Sequence, residues 1–427
     1  TVTLGTGASQ SGFGRTGTVD WQTTKKTGDF TAANGEGYFV DTTSGGVVMT
    51  MPSGSAGAIV SIQDYNKTFD DNTFTVTPAS GERVNGGTAG GSLLVTTEGQ
   101  GLTFVYVDST VGWKTVHENE FISGGSQFIV ATGGTITCSG NCRIHTFTGP
   151  GTFTVSAVAI CAANNSVSHL VVAGGGGGGK SRAGGGGAGG FREVKSPLTP
   201  YTASPLDGYP SAPNRITVTA QAYPIQVGGG GAGSTSPSAR GTSGVNSIFS
   251  TITSAGGGGG GSNGPAPGTG INGGSGGGGM NPGPSPEPAG TGNTPPTTPS
   301  QGFPGGIGSY GPPHYGAGAG GGATAAGGNG TTPGIGGTGG AGATSCISGS
   351  PVGRAGGGGG GGNCGTSGPA SDGGGAGGSP AVTTGTGTAN TGGGGGGGNG
   401  SAPNPANATD SGANGGSGVV IIRYKNG

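Results

Sequence analysis

The sequence predicts a mostly β chain with a large glycine-rich region, in which small β domains precede a bundle of polyglycine II helices linked by loops. Three observations carry that expectation. Glycine supplies 115 of 427 residues and is gathered into runs of similar length that alternate with polar loops, the mark of an architecture built from repeats. The series starts from Leu170-Val171-Val172-Ala173 and ends in Val419-Val420-Ile421-Ile422-Arg423-Tyr424, apolar segments rich in β-branched residues that suit strands of one sheet. Strict Gly-X-Y periodicity is absent, which excludes collagen.

The first run opens at Gly174 and closes at Gly179; later ones span Gly256 to Gly261, Gly356 to Gly362 and Gly392 to Gly398, with interrupted versions between. Glycine brings no side chain to pack and loses the most backbone entropy on ordering, so such a run is neither a stable α-helix nor an ordinary strand. Polyproline-II geometry suits it. There each residue rises about 3.1 Å, three residues make a turn, and no hydrogen bond is internal, so every N–H and C=O points outward. Only glycine lets several such helices approach closely enough to exchange those bonds. A run of six or seven residues would span roughly 20 Å. Residues 174–418 are therefore expected to form the bundle, stitched by loops at its two ends.

Composition narrows the function classes. Charged residues are 8% of the chain and the formal net charge is -1, so no basic field exists to attract nucleic acid or an anionic membrane. No apolar stretch approaches the roughly 20 residues of a membrane-spanning helix. Hydrophobic content of 29% is too low for one large core of the usual kind, so backbone hydrogen bonding or other chains must contribute. The cysteines, Cys138, Cys142, Cys161, Cys346 and Cys364, form no CxxC pair and have no histidine at a metal-finger offset, so no metal is expected. The spacing of Cys138 and Cys142 permits a small disulfide loop; Cys346 and Cys364 flank one glycine run and could cross-link neighbouring loops. All five could equally be plain thiols.

In chain order, residues 1–30 are rich in Gly, Ser and Thr and read as a connector to something upstream. Residues 31–120 read as a small all-β domain, with strands at 38–42, 47–51, 59–63, 74–77, 93–97, 102–108 and 113–117 separated by Gly, Pro, Asp and Asn punctuation. Residues 121–173 read as a β base for the glycine-rich part. Its strands are expected at 128–131, 144–148, 152–158 and 167–173, with Gly149-Pro150-Gly151 as a tight hairpin. Further strands at 215–220, 224–227 and 247–253 should complete that base. Residues 419–427 should form a closing strand beside 167–173, pinning both ends of the bundle.

Catalytic templates fit poorly. Gly174 to Ser181 satisfies the phosphate-loop pattern, but a polyglycine run fills its glycine positions by default, and the helix that the motif requires cannot form from Arg182-Ala183-Gly184-Gly185. The histidines His117, His145, His169 and His314 stand apart from acids in sequence, and acidic residues are sparse after Asp207. No catalytic residue, cofactor or enzyme activity is expected. The loops are more informative. Residues 197–214 carry Tyr201 and Tyr209 among prolines, and residues 301–316 carry Phe303, Tyr310, His314 and Tyr315. Aromatics held by Pro and Gly lose little entropy on binding and present amphipathic area, so these six are the candidate recognition residues; covering the bundle ends is their plainer role.

The succession from His145 through Gly149-Pro150-Gly151 to Val155, then His169-Leu170-Val171-Val172-Ala173 into glycines, Ser247-Ile248-Phe249 before another run, and the Val419 to Tyr424 ending resembles the glycine-rich domain of tailed-phage tail-fibre and tail-tip proteins. The bundle is similar to that of the receptor-binding adhesins on T-even phage long tail fibres. Residues 37–118, with Gly37-Tyr38-Phe39-Val40-Asp41-Thr42-Thr43 and Tyr106-Val107-Asp108-Ser109-Thr110-Val111-Gly112-Trp113, resemble a β module of marine and cyanobacterial phage tail fibres. The resemblance implies a protein of the virion tail and a homotrimer. It also implies contact with other tail and fibre proteins, and binding without catalysis to a receptor on the host bacterium, an outer-membrane protein or a glycan. This chain departs from those adhesins in carrying its β domains in the same polypeptide. A structural or ice-binding polyglycine bundle, or a secreted filament subunit, is the alternative.

Overall fold

The computed structural model describes residues 19–116, 128–262, 268–280, 287–311, 314–363, 365–400 and 411–426, and the chain divides into two units, Thr1–Gln127 and Phe128–Gly427. Among the described residues there is no α-helix; two short 3-10 turns, Ala162–Asn165 and Ala212–Asn214, are the only helical pieces.

The first unit is wound rather than folded back and forth. Its strands are β1 (Asp20–Lys26), β2 (Phe30–Thr31), β3 (Glu36–Val40), β4 (Val47–Thr50), β5 (Ile59–Asp64), β6 (Phe74–Thr77), β7 (Leu93–Val95), β8 (Gly101–Tyr106) and β9 (Trp113–Thr115). Odd strands β1, β3 and β5 stack in parallel in one sheet, and even strands β2, β4 and β6 stack in parallel in another. Antiparallel β7, β8 and β9 then close the winding. Met49, Phe69, Phe74, Phe104 and Trp113 fill the space between the sheets with no exposure to solvent.

Every strand predicted between 38 and 117 is present, shifted or shortened by one or two residues; His117 lies outside the described residues. The connector expected at 1–30 is corrected in its second half. Residues 1–18 are outside the described part, while β1 forms an edge strand whose side chains are almost all exposed, so it shows no apolar alternation to find.

The second unit opens with a two-sheet base. One sheet has the order β10 (Val130–Thr132), β13 (Gly151–Ala157), β17 (Ala222–Gln226), β18 (Ser247–Phe249), β19 (Ile252–Ser254). The other runs β11 (Thr135–Ser139), β12 (Cys142–Phe147), β22 (Val419–Lys425), β14 (Ser166–Val172), β15 (Phe191–Val194), with β16 (Ile216–Thr217) also on β14. A separate hairpin joins β20 (Ala343–Ser345) to β21 (Val352–Arg354).

The expected partnership of the closing strand holds: β22 lies antiparallel to β14, with Leu170 opposite Ile421 and Val172 opposite Val419. Phe147, Val171, Val420 and Tyr424 meet Phe153, Ile225 and Phe249 of the facing sheet, while Leu170, Val172, Val419 and Ile421 pack on the other side against Phe191, Ala343 and Ile347. Burial on both faces explains why 170–172 and 419–422 read as unbroken apolar runs rather than alternating ones.

Three expectations for this base are revised. Gly149-Pro150-Gly151 is a corner between sheets, because β12 pairs with β11 and β22 while β13 pairs with β10 and β17. The strand expected at 247–253 is a hairpin of β18 and β19, turned at Ser250 with φ 53°. Cys138 and Cys142 sit on opposite sides of the β11–β12 hairpin, one exposed and one buried, and they, Cys161 and Cys346 are free thiols; Cys364 lies outside the described residues.

From this base the glycine runs extend as a hydrogen-bonded array with a period of three. The amides of Gly174 and Gly177 donate to Val245 and Thr242, those of Gly175 and Gly178 to Gly416 and Ala413, and those of Gly176 and Gly179 to Gly187 and Gly184. Their carbonyls accept with the same period from Gly257 and Gly260, from Gly231 and Ser234, and from Gly395 and Gly398. The segment thus has six different neighbours, and each of its N–H and C=O groups is satisfied. The return segment 184–190 is enclosed in the same way, donating to 255–261, 318–321 and 392–395 and accepting from 176–179, 275–278 and Gly358.

Glycine is obligatory at such positions because a β-carbon would have to occupy a neighbour's carbonyl oxygen. At Gly359, whose own amide bonds Gly375, the obstructing atom is the Gly368 oxygen; Gly229, on the outside of the array, has nothing within 4 Å. Gly359→Val is therefore expected to destabilise the second unit by about 3 kcal/mol or to prevent its folding, whereas Gly229→Val should leave its thermal midpoint nearly unchanged. Thermal unfolding followed by circular dichroism compares the two, and equal behaviour would contradict the close-packed array.

Candidate functional site

Chain direction through the array separates a base end from a far end. The segment 174–179 leaves β14 and 184–190 returns to Phe191 of β15, which pairs with Val172. The turn 180–183 between them is therefore at the far end, and because both segments are fully enclosed it lies at the centre of that face. Ser181 and Arg182 hold the turn with φ of 58° and 50°, a left-handed conformation that costs a non-glycine residue about 1–2 kcal/mol. Here, in a chain full of glycine, side chains occupy both positions. The Lys180 amide donates to Ser262 Oγ at 2.8 Å and its Nζ to the Thr235 carbonyl at 3.1 Å.

Hydrogen-bond register places each of the six candidate aromatics. Tyr315 is at the far end, level with the central turn: the next residues, Gly316 and Ala317, bond Gly362 and Gly361, and Gly361 in turn donates to Ala183. The Arg182 guanidinium lies over the Tyr315 ring at 4.9 Å, and Tyr310 meets Tyr315 edge-on at 5.9 Å. The Ser309 amide closes that loop onto the Gly316 carbonyl, and His314 bonds Gly311 within it. Tyr310 is 43% exposed and neither tyrosine joins a hydrophobic cluster. Tyr310, His314 and Tyr315 are thus brought together with Arg182, which follows directly on the Gly174 to Ser181 pattern and is marked by no sequence signal of its own.

The other three candidates belong to the base end. Tyr201 packs on the cluster under the six-stranded sheet, below the Arg423 guanidinium at 5.2 Å. Tyr209 is stacked by Arg215 at 4.3 Å. Phe303 contributes its backbone to the array at the level of Gly276 and Gly322, and its ring lines a shallow hollow of about 430 Å³ with Pro205, Leu206 and Ala343.

Residues 146–425 match the model of the glycine-rich domain. The chain belongs to that glycine-rich domain family. No curated protein matches it significantly by sequence.

In the β base the two buried histidines, His145 and His169, belong to the core. His145 Nδ1 donates to the Gly133 carbonyl at 2.7 Å, which fixes the tautomer and leaves Nε2 to accept from the Tyr424 hydroxyl at 3.0 Å. Burial lowers its pKa, and lowers that of the fully enclosed His169 to about 3, so both rings stay neutral members of the core. Among the described residues no group of three His, Cys, Asp or Glu side chains is placed to hold a metal ion, and no helix is long and apolar enough to cross a membrane.

Glu193 organises the base-end loops. Its carboxylate is buried, accepts from the Ser204 amide at 2.9 Å and from the Ser345 hydroxyl, and so ties 201–207 to the β20–β21 hairpin. Burial pushes its pKa up in spite of those bonds, and burial followed by the nearby Glu193 charge pushes the Tyr201 phenol well above its ordinary value. A carboxyl whose folded-state pKa is raised stabilises fully below its unfolded value and loses that contribution as pH rises through the folded one. Glu193→Gln keeps an acceptor without the charge. Relative to the parent, it is expected to gain stability at pH 8 and to show no difference near pH 4, measured by urea unfolding; a loss at pH 8 would show that the charge itself is stabilising.

Proposed function

We propose that this chain is a tail-fibre or tail-tip adhesin of a tailed phage, that its runs are polyglycine II helices, and that loops at the far end of the bundle bind a receptor on the host bacterial surface. The threefold alternation of hydrogen-bond partners supports the helical reading, since polyproline-II geometry has three residues per turn and outward-facing backbone groups. Backbone torsions support it as well: among the described residues, glycines with positive φ lie in turns and at run starts such as Gly373 and Gly392, not inside the runs.

One observation carries the recognition reading. Tyr310 and Tyr315 stand at the end of a frame held by backbone bonds, outside every hydrophobic cluster, so the fold does not need them. Loops so placed can change without disturbing a core. The rigid frame holds them ready, which lowers the ordering cost of binding. In this reading the molecule acts by binding and not by catalysis, without a cofactor and without nucleic acid. It works in the virion tail as a homotrimer, in contact with other tail and fibre proteins, and its receptor is an outer-membrane protein or a surface glycan.

A cell-binding assay with the fluorescently labelled chain tests this. Tyr310→Ala combined with Tyr315→Ala is expected to reduce binding to susceptible bacteria by at least about ten-fold, the loss of a recognition hot spot, while the melting temperature stays within a degree or so of the parent's. Unaltered binding by that folded variant would remove the far-end tyrosines from the receptor site.

A further inference from the structure

We infer that the Lys180-Ser181-Arg182 turn is an anion-binding centre in the middle of the far face, and that it takes a carboxylate or phosphate carried by a saccharide. This deepens the adhesin reading by naming the chemistry of the receptor group. Among the described residues of the far face only Lys180, Arg182, Arg240 and Glu287 carry charged side chains. Two of the three cations sit together on the central turn, half-buried, and among the described residues no carboxylate lies within ion-pair distance of either.

Partly desolvated cations normally have a partner. Lys180 Nζ gives one of its three hydrogens to the Thr235 carbonyl, and Arg182 has a buried Nε with no hydrogen-bond partner in the described structure. The left-handed backbone at Ser181 and Arg182 and the stacking of Arg182 on Tyr315 hold the guanidinium in place before any ligand arrives. A guanidinium so held matches the planar, bidentate geometry of carboxylate and phosphate oxygens, and Lys180 adds a compact second charge. The surroundings favour a sugar over an acidic peptide as the carrier. The exposed Tyr310 ring beside Tyr315 offers an amphipathic stacking face, and the remaining rim carries small hydroxyls from Ser181 and Thr235.

The test uses the full chain, titrated by biolayer interferometry with polygalacturonate, phosphomannan, neutral mannan and poly-glutamate. The parent is expected to bind polygalacturonate or phosphomannan at least about ten-fold more tightly than neutral mannan, and to lose that preference in about 0.5 M salt, where the screening length is only a few ångströms. Preference between the two anionic polymers assigns carboxylate or phosphate. Lys180→Gln and Arg182→Gln should each weaken binding by about ten-fold or more with the melting temperature kept. A purely structural Arg182 would lower the melting temperature and leave anion binding intact, overturning the inference.

Equal affinity for neutral and anionic mannans overturns it too, as does failure to bind any anionic polymer, and tighter binding of poly-glutamate than of either polysaccharide overturns the assignment to a saccharide. The same variants applied to whole cells separate this inference from the adhesin reading. If Lys180→Gln/Arg182→Gln binds cells like the parent, the anion centre fails and the adhesin stands. If the parent binds the polysaccharide but no bacterium, the adhesin reading fails and the centre stands.

Discussion

The constraint on which the glycine-rich domain depends is the absence of a β-carbon where backbone meets backbone. Hydrogen bonds between adjacent segments require their main chains to approach more closely than any side chain allows, and at interior glycines the space for a β-carbon is already filled by a carbonyl oxygen. Each bond contributes only about 0.5–1.5 kcal/mol net, but a buried amide left without a partner would cost about 1–3 kcal/mol. The array is therefore cooperative: a single displaced segment strands polar groups on all six of its neighbours. That arrangement replaces most of the hydrophobic core which a chain with 29% hydrophobic residues lacks. Some alanines escape it at the base: Ala188, Ala323 and Ala355 are buried where the array meets the six-stranded sheet, and their methyl groups join its apolar cluster.

A lattice of this kind has no intrinsic register, since one glycine looks like the next. The β base supplies it. Pairing of β14 with β22 fixes where the first run leaves and where the last one returns. Polar side chains then carry the ladder over into the array: Ser247 Oγ donates to the Val172 carbonyl and accepts from the Gly228 amide, Ser254 Oγ donates to Val171, and Gln301 Oε1 accepts from the Ala255 amide. These are side chains with one defined place each, at the point where sheet periodicity of two gives way to a period of three. Without them the first turn of the array would leave carbonyls of β14 unpaired in a dry environment.

Much of this was legible in the sequence because it rests on local signals. The glycine runs, the apolar segments that enter and leave them, and the strands between 36 and 115 all announce themselves by composition or alternation. What failed was pairing. The segments 144–148 and 152–158 alternate clearly, and a Gly-Pro-Gly between them reads as a hairpin, yet Phe147 and Phe153 enter one core from two facing sheets. That choice is made by strands as far away as Ala222–Gln226 and Val419–Lys425, which no local pattern reveals. β1 was missed for the opposite reason: Asp-Trp-Gln-Thr-Thr-Lys-Lys is exposed on both faces, so no alternation is imposed on it. The six candidate aromatics looked equivalent in sequence, and only hydrogen-bond register divides Tyr310, His314 and Tyr315 from Tyr201, Tyr209 and Phe303.

That division also explains why the far end is suited to vary. At the base, each loop is tied to something a change would break: Tyr201 lies beneath Arg423, whose guanidinium bonds three backbone carbonyls, and Glu193 joins two loops from a buried position. At the far end several ties are to backbone atoms that any sequence provides, such as the Thr235 carbonyl for Lys180 and the Gly316 carbonyl for Ser309, although the Lys180 amide also relies on the Ser262 hydroxyl. The stability of the frame is thus decoupled from the chemistry of its tip. Against that background the Ser181-Arg182 turn is the anomaly, because glycine would relieve its left-handed backbone at no cost to the array. A side chain kept where the backbone favours none is held there by what it touches, and among the described residues Arg182 stacks on Tyr315 and packs its stem against Gly400.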